Sequence, residues 1–174
     1  MKSSKNIVFL GMMGSGKSSI GFLVSKKLGL NFFDIDKHIE DKLNMKISNI
    51  FRLKGERFFR EYEEKITLDI LKKRQIVVSL GGGAFLNKKI RNEVLKSHIS
   101  FWLSLNSDII INRIKNSTKR PMTLNMSNIE LKDMIKKRSK YYGKALLKIN
   151  CNNKTKTEIV DKIINLYENN QIIN

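Results

Sequence analysis

Cysteine and proline are almost absent from this chain of 174 residues, which has one of each, Cys151 and Pro121. A single cysteine supports neither a disulfide framework nor a thiolate metal cluster, which argues against a secreted scaffold. Long apolar runs are also missing, because the longest candidates, 7–10 and 76–80, have only the length of strands. The first residues show no apolar signal-peptide core. We therefore expect a cytoplasmic protein without a membrane span.

Acidic side chains are scarce as well, with 16 Asp and Glu against 34 Lys and Arg and a formal net charge of +18. Of the basic residues, 26 are lysines, and they are spread along most of the chain. A nucleic-acid interface usually concentrates its basic residues in a stripe with arginines or aromatics that reach the bases. We therefore interpret the charge as a solvated lysine-rich surface and expect no nucleic-acid partner, although its field would draw anionic substrates towards the protein.

Short apolar runs alternate with longer helical patterns, which indicates βαβ units and a parallel sheet. The predicted strands cover about 6–10, 31–35, 76–80, 99–105 and 146–151. The predicted helices cover about 17–28, two or three pieces between 37 and 74, then 87–97, 108–115, 128–143 and 157–169. We expect one α/β domain over residues 1–174, a three-layer sandwich around a five-stranded parallel sheet, with its core over about 6–167.

A glycine-rich segment after the first predicted strand, Gly11–Ser18, fits the G-x-x-x-x-G-K-[ST] pattern of a P-loop. Glycines let consecutive backbone N–H groups turn inward around phosphate oxygens, and the following helix N-terminus favours negative charge. Lys17 would reach the β- and γ-phosphates, and the Ser18 hydroxyl would ligate Mg²⁺. A glycine-rich turn without a ligand is the alternative, but the strand before the motif and the amphipathic helix after it favour a P-loop nucleotide-binding domain.

Two carboxylates end the second predicted strand, in Phe32–Asp36. Asp34 and Asp36 are two residues apart and would share one side of an extended chain, facing the crevice where parallel sheets bind ligands. One carboxylate would then serve hydrated Mg²⁺ while the other holds a substrate hydroxyl. The alternative is that Asp36 is only the N-cap of a helix that begins at Lys37.

Three successive glycines, Gly81–Gly83, follow the third predicted strand, and no metal-binding aspartate of the Walker B kind stands near Ser79. Bare backbone N–H groups in this segment would suit an anionic group of a substrate. The alternative is a flexible turn between strand and helix.

Arginines carry information in a chain so rich in lysine, because their planar fork can hold a carboxylate through two parallel hydrogen bonds. Arg60 and Arg138 are candidates for that role, and Arg120 lies in an irregular segment from which it could close over a triphosphate. The alternatives are that Arg138 faces water and that Arg60 pairs within its own helix. The candidate partners of Arg60 there are Glu56, Glu63 and Glu64.

Taken in order, these motifs resemble the shikimate kinase family over about 6–167. The motifs are the P-loop Gly11–Ser18, Phe-x-Asp-x-Asp at 32–36, Gly-Glu-x-x-Phe-Arg-x-x-Glu at 55–63, Gly-Gly-Gly at 81–83, Arg-Pro at 120–121 and Arg-x-x-x-Tyr at 138–142. The resemblance implies a nucleoside-monophosphate-kinase-like fold with a mobile lid over about 117–127. It also implies that a monomer, with one Mg²⁺ ion, transfers the γ-phosphoryl group of ATP to the 3-hydroxyl of shikimate.

The resemblance also implies a role for each candidate residue. The ATP phosphates would lie on Gly14, Ser15, Gly16, Lys17, Ser18 and Ser19, with Arg113 near the adenine and Arg120 over the transferred group. Shikimate would lie between helices within about 37–74 and later elements, its carboxylate on Arg60, Arg138 and the Gly82 backbone and its reacting hydroxyl on Asp36. Mg²⁺ would be held by Ser18 and, through water, by Asp34.

The chain departs from the family pattern in two places. Family members often carry proline within the segment that corresponds to 139–141, and they often carry arginine and proline in the loop that corresponds to 152–157. Three other functions stay open on the sequence. A gluconate kinase or a nucleoside monophosphate kinase would share the P-loop, but neither explains the three glycines with both arginines. A nucleic-acid-associated ATPase is suggested by the net charge alone.

Overall fold

Five parallel strands form the centre of the protein, in the order β2-β3-β1-β4-β5. The structure, a computed structural model, describes residues 5–116, 123 and 126–172. The strands are β1 (Ile7–Leu10), β2 (Asn31–Asp34), β3 (Ile76–Ser79), β4 (Ile99–Ser104) and β5 (Leu147–Asn150). The helices are α1 (Lys17–Leu28), α2 (Ile35–Leu43), α3 (Ile47–Leu71), α4 (Lys88–Ser97), α5 (Ser107–Lys115), α6 (Asn128–Tyr142) and α7 (Lys156–Ile172).

Apolar side chains cover both faces of the sheet, because successive side chains of the central strand β1 are buried on opposite faces. Every residue of β1 is fully buried, with Val8 and Leu10 in one apolar cluster and Ile7 and Phe9 in the other. The first cluster includes side chains from α2 to α6, and the second includes side chains from α1 and α7. This confirms the predicted three-layer sandwich and its parallel sheet. Among the described residues, every helix is too short or too polar to cross a bilayer.

One predicted boundary was wrong, between the second strand and the helix after it. The strand ends at Asp34, and α2 begins at Ile35 rather than at Lys37. Asp34, not Asp36, is the N-cap, since its carboxylate accepts a hydrogen bond from the Lys37 backbone N–H at 3.2 Å. Asp36 therefore lies in the first helical turn, so the two carboxylates do not share one side of an extended chain.

The long helix α3 contains a sharp kink at Gly55, where the backbone has φ 80° and ψ 166°. Those angles lie in a region that residues with a Cβ atom rarely adopt, which explains the glycine. The predicted breaks at Asn44 and Gly55 are both confirmed, because Asn44 ends α2 in the left-handed conformation. The predicted lid over 117–127 lies outside the described residues except for 123, 126 and 127.

A buried asparagine connects the first strand to the segment between α3 and β3. Asn6 is 1% exposed, and its side-chain N–H groups donate to the carbonyl oxygens of Leu71 at 3.1 Å and Lys73 at 2.7 Å. Its side-chain oxygen accepts from the Ile76 N–H at 3.2 Å. One side chain thus satisfies three backbone groups, two before β3 and one at its first residue, and this fixes β3 beside β1.

Replacing Asn6 by alanine should lower the free energy of unfolding by about 2–3 kcal/mol, because buried backbone groups lose their partners. Urea denaturation followed by circular dichroism measures the change. The matched control is Asn92→Ala on the exposed side of α4, which should change stability by less than about 0.5 kcal/mol. Equal effects of the two substitutions would contradict the role given to Asn6.

Candidate active site

The loop after β1 is wound tightly by glycines in conformations that other residues rarely adopt. Gly11, Gly14 and Gly16 have φ of 135°, 81° and 94°. A Cβ atom on Gly11 would lie 2.8 Å from the carbonyl oxygen of Leu103, closer than such contacts allow. The loop leads directly into α1, whose first residue is Lys17. The predicted P-loop is therefore present as a strand, a cradle and a helix N-terminus.

Lys17 is held inside this cradle. Its ammonium donates to the carbonyl oxygens of Gly11 and Met12, each at 3.0 Å, and the residue is 7% exposed. The Ser15 hydroxyl is buried and has no hydrogen-bond partner within the described part of the chain. Ser18 and Ser19 are exposed in the first turn of α1. A buried cation and an unused hydroxyl in a loop of this shape suit phosphate oxygens.

Arg113 reaches the P-loop from α5. Its guanidinium donates to the carbonyl oxygen of Gly14 at 2.9 Å, although the two residues are 99 positions apart. The structure therefore places Arg113 against the loop backbone, while the expected position near adenine stays a prediction. Arg120, the arginine expected to reach over the transferred phosphoryl group, lies outside the described residues together with Pro121.

A cavity of about 500 Å³ opens beside the P-loop at the carboxyl edge of the sheet. It brings together all six residues expected to bind metal and acceptor substrate. These are Ser18, Asp34, Asp36, Arg60, Gly82 and Arg138. Asp34 and Asp36 reach the cavity from the junction of β2 and α2, and Arg138 reaches it from α6. The structure thus places these residues at one cavity, with Asp34 at the end of β2 and Asp36 in the first turn of α2.

The three glycines after β3 make room for charged side chains. A Cβ atom on Gly81 would lie 2.6 Å from both Asp36 Oδ1 and Glu63 Oε1, and one on Gly83 would lie 2.7 Å from the Arg60 guanidinium. None of these glycines has the positive φ that favours glycine for conformational reasons. The structural reason for the run is therefore close approach, in addition to the bare N–H groups that the sequence suggested.

Asp36 lies in an electrostatic environment that opposes its ionisation. Burial of its carboxyl raises the pKa of Asp36 to about 7, and the nearby carboxylates of Glu63 and Asp34 add to this shift. Lys17 and Arg60 act in the opposite direction but do not compensate. Burial likewise raises the pKa of Glu63, against the opposing effect of Arg60. Asp36 is thus poised to exchange a proton near neutral pH.

Arg60 is both a site residue and a partner of its own helix. Its guanidinium contacts Glu63 Oε2 at 2.7 Å and Glu56 Oε1 at 3.3 Å, so pairing within the helix is confirmed for these two glutamates. It also lies over the rings of Phe59, at 5.2 Å, and Phe51, at 6.0 Å. These contacts hold the guanidinium plane at the wall of the cavity rather than removing it from the site.

Arg138 does not simply face water. Its Nη1 is buried and has no hydrogen-bond partner among the residues that the structure describes. The same side chain is hydrogen-bonded to Tyr142, whose hydroxyl donates to the Gly82 carbonyl oxygen at 2.5 Å. Burial raises the pKa of Tyr142 to about 12, so this phenol stays protonated and keeps donating. The pair therefore joins α6 to the glycine segment and leaves a guanidinium nitrogen available at the cavity.

Glu63 is the site residue whose place in the cavity the sequence does not reveal. The sequence indicates only an ion pair with Arg60, yet the Glu63 side chain is 3% exposed and lines the cavity together with Asp36. The glutamate at the end of the Gly-Glu-x-x-Phe-Arg-x-x-Glu motif was the available signal. The sequence likewise indicates no role for Phe51, Phe59 and Tyr142, because each of these side chains would fit an apolar core equally well.

A sequence model of the shikimate kinase family matches residues 13–168. The shikimate kinase of Sulfurihydrogenibium sp. (strain YO3AOP1) is 39% identical over 160 residues, 92% of this chain and 96% of that protein. The shikimate kinase of Thermodesulfovibrio yellowstonii is 40% identical over 166 residues, 94% of this chain and 95% of that protein. A structure of shikimate kinase from Acinetobacter baumannii in complex with shikimate superimposes with a TM-score of 0.91 at 28% identity, covering 98% and 96% of the two chains.

Asp36→Asn should make the protein more stable than the parent at pH 8, by about 1–3 kcal/mol. The folded pKa of about 7 lies above the ordinary aspartate pKa of 3.8, so the stability contributed by Asp36 is complete below pH 3.8 and is lost as the pH rises through 7. Urea denaturation at pH 5 and at pH 8 measures the difference, which should be smaller at pH 5. The control is Asp41→Asn on the exposed face of α2, and a gain independent of pH would contradict the assignment.

Proposed function

Because the chain belongs to the shikimate kinase family, it is a kinase that transfers the γ-phosphoryl group of ATP to the 3-hydroxyl of shikimate, and we propose that the site above performs this transfer. The observation that carries the proposal is one cavity shared by a P-loop serine, the Asp36 carboxyl and two arginines, Arg60 and Arg138. A small acid with hydroxyl groups needs cations at one end and a hydrogen-bond acceptor at the other.

The P-loop binds the nucleotide in this proposal. The backbone N–H groups of Gly14–Ser19 surround the phosphates, and Lys17 exchanges its two carbonyl partners for phosphate oxygens. Arg113 holds the loop in shape through Gly14. Arg120 neutralises charge on the transferred group from the lid side, as the resemblance implies. Phosphoryl transfer depends mainly on alignment and charge neutralisation, and cations on different sides of the phosphates supply both.

Ser18 and Asp34 suit a magnesium ion, because both present oxygen ligands to the same cavity beside the phosphate cradle. Ser18 would bind it directly and Asp34 through water. Such an ion would neutralise negative charge on the phosphates when bound with ATP. Asp34 also caps α2, so its carboxylate is already oriented by the Lys37 backbone N–H.

Arg60 and Arg138 bind the shikimate carboxylate, together with the backbone of Gly82. Both guanidinium groups stand at the cavity wall, and the buried Nη1 of Arg138 lacks a partner among the described residues. Glu63 holds Arg60 through a contact of 2.7 Å, so it positions the guanidinium without needing to touch the substrate. Two cations for one carboxylate also offset the acidic groups that line the same cavity.

Asp36 orients the reacting hydroxyl and accepts its proton as the phosphoryl group is transferred. A carboxyl whose pKa lies at about 7 can hold that proton after the reaction and release it to solvent near neutral pH. The neighbouring Glu63 carboxyl contributes to this pKa, which gives it a second influence on the reaction.

The expected monomer, the cytoplasmic location and the absence of a nucleic-acid partner stay predictions.

The rate of ADP release from MgATP should rise strongly on addition of shikimate and stay at its basal level with gluconate, quinate or a nucleoside monophosphate. A coupled assay measures ADP, and ³¹P NMR of the product should show one new phosphate ester at the 3-hydroxyl. Stimulation by a different acceptor, with none by shikimate, would contradict the substrate assignment and leave the P-loop assignment intact.

Arg60→Lys should raise KM for shikimate about 10- to 100-fold, because a lysine cannot reproduce the two-pronged contact with a carboxylate. KM for ATP should change less than about threefold, since the ion pairs that hold Arg60 are made within α3 and the P-loop has its own cation in Lys17. The matched control is Arg57→Lys, one helical turn earlier, where the arginine is 93% exposed and forms an ion pair with Glu61. Similar effects of both substitutions would overturn the role of Arg60.

A further inference from the structure

A second polar cavity, of about 260 Å³, lies at the edge of the sheet opposite the P-loop. Its walls come from the segments that enter three parallel strands: Lys5 precedes β1, His98 precedes β4 and Leu146 precedes β5. The P-loop, by contrast, follows the carboxyl end of β1. The two cavities are therefore separated by the sheet, and the residues of the second take no part in the transfer reaction described above.

His98 is a buried imidazole with unused hydrogen-bonding groups. Its side chain is 6% exposed, and neither ring nitrogen has a hydrogen-bond partner within the described part of the chain. The nearest carboxylate oxygen, on Glu93, is 3.7 Å from Nε2, which is beyond hydrogen-bond distance. Burial lowers the pKa of His98, and Glu93 opposes that shift only partly. Since buried polar groups are nearly always satisfied in native proteins, both ring nitrogens are open to a partner in the adjoining cavity.

Three lysines converge on the same cavity from different elements. Lys5 comes from the segment before β1, Lys96 from the last turn of α4 and Lys144 from the turn after α6. Glu93 is the carboxylate that faces His98, and it is partly exposed to solvent. A lysine in the last turn of a helix is favoured by the helix dipole, which accounts for Lys96 alone. It does not account for the other two lysines of the cavity wall, Lys5 and Lys144, and the ammonium of Lys144 also lies 5.9 Å from the centre of the Tyr141 ring.

We propose that this cavity is a binding site for a phosphoryl dianion, carried by inorganic phosphate or by a small phosphate monoester. The ammonium groups of Lys5, Lys96 and Lys144 supply the positive charge, and His98 donates an N–H to a phosphoryl oxygen. Lysine binds phosphate as a point charge that adapts its position. Three lysines therefore suit a ligand with two negative charges better than a carboxylate ligand with one. The bound dianion stabilises imidazolium, so binding and protonation of His98 are linked.

The chain contains only two histidines, His38 and His98, which makes imidazole NMR a selective probe. The ¹³C–¹H signals of both rings are followed at pH 7 during titration with inorganic phosphate, at constant ionic strength and with excess MgADP to occupy the P-loop. His38→Gln identifies the His98 signal without altering the buried ring. The His98 signal should move saturably towards its protonated position, and the double substitution Lys96→Gln with Lys144→Gln should weaken the apparent affinity about tenfold.

The control is the pair Lys42→Gln and Lys65→Gln, two exposed lysines that do not line the cavity and whose loss should leave the titration unchanged. A parallel titration with glycerol 3-phosphate distinguishes free phosphate from a monoester, and saturable binding of either supports the proposal. Movement of the His98 signal that chloride reproduces at equal ionic strength would overturn it. So would the absence of movement, or an identical response in the Lys96 and Lys144 double variant.

Discussion

The carboxyl group of Asp36 lies close to that of Glu63, and the rest of the active site depends on this pair of acids. Two acids at such close range are stable only if cations stand nearby and if one acid retains its proton. Arg60 and Lys17 supply the cations, and Arg60 in turn requires the aromatic rings and glutamates that hold its plane. The glycine segment after β3 has no side chains because these groups occupy the space beside it.

The charge of the cavity differs from that of the whole molecule. Four of the chain's 16 acidic residues line it, namely Asp34, Asp36, Glu40 and Glu63, in a protein whose net charge is +18. Four basic side chains line it as well, namely Lys37, Lys46, Arg60 and Arg138. The surrounding surface therefore attracts anions over distance, while the cavity itself discriminates by the placement of individual charges. Local carboxylates are needed for chemistry that a uniformly basic pocket would not support.

Local sequence patterns were sufficient for the architecture and for the P-loop, because a strand, a glycine-rich turn and an amphipathic helix are encoded by neighbouring residues. They were insufficient where two aspartates competed for one capping position. Asp34 prevails because Ile35 is fully buried at the start of α2, a tertiary condition that the sequence does not display. The crowding at Gly81 depends on side chains from α2 and α3, and the importance of His98 depends on a cavity built from three separate segments. Neither has a local signature.

The ammonium group of Lys17 lies inside the phosphate-binding loop, where it binds the loop's own carbonyl oxygens. Its two bonds to loop carbonyls fasten the start of α1 to the turn that precedes it. The cradle is therefore braced from within, so part of the entropy of ordering it is lost on folding rather than on recognition. Nucleotide binding then becomes an exchange, in which phosphate oxygens replace carbonyl oxygens around one ammonium. The affinity for ATP reflects the difference between those two sets of partners.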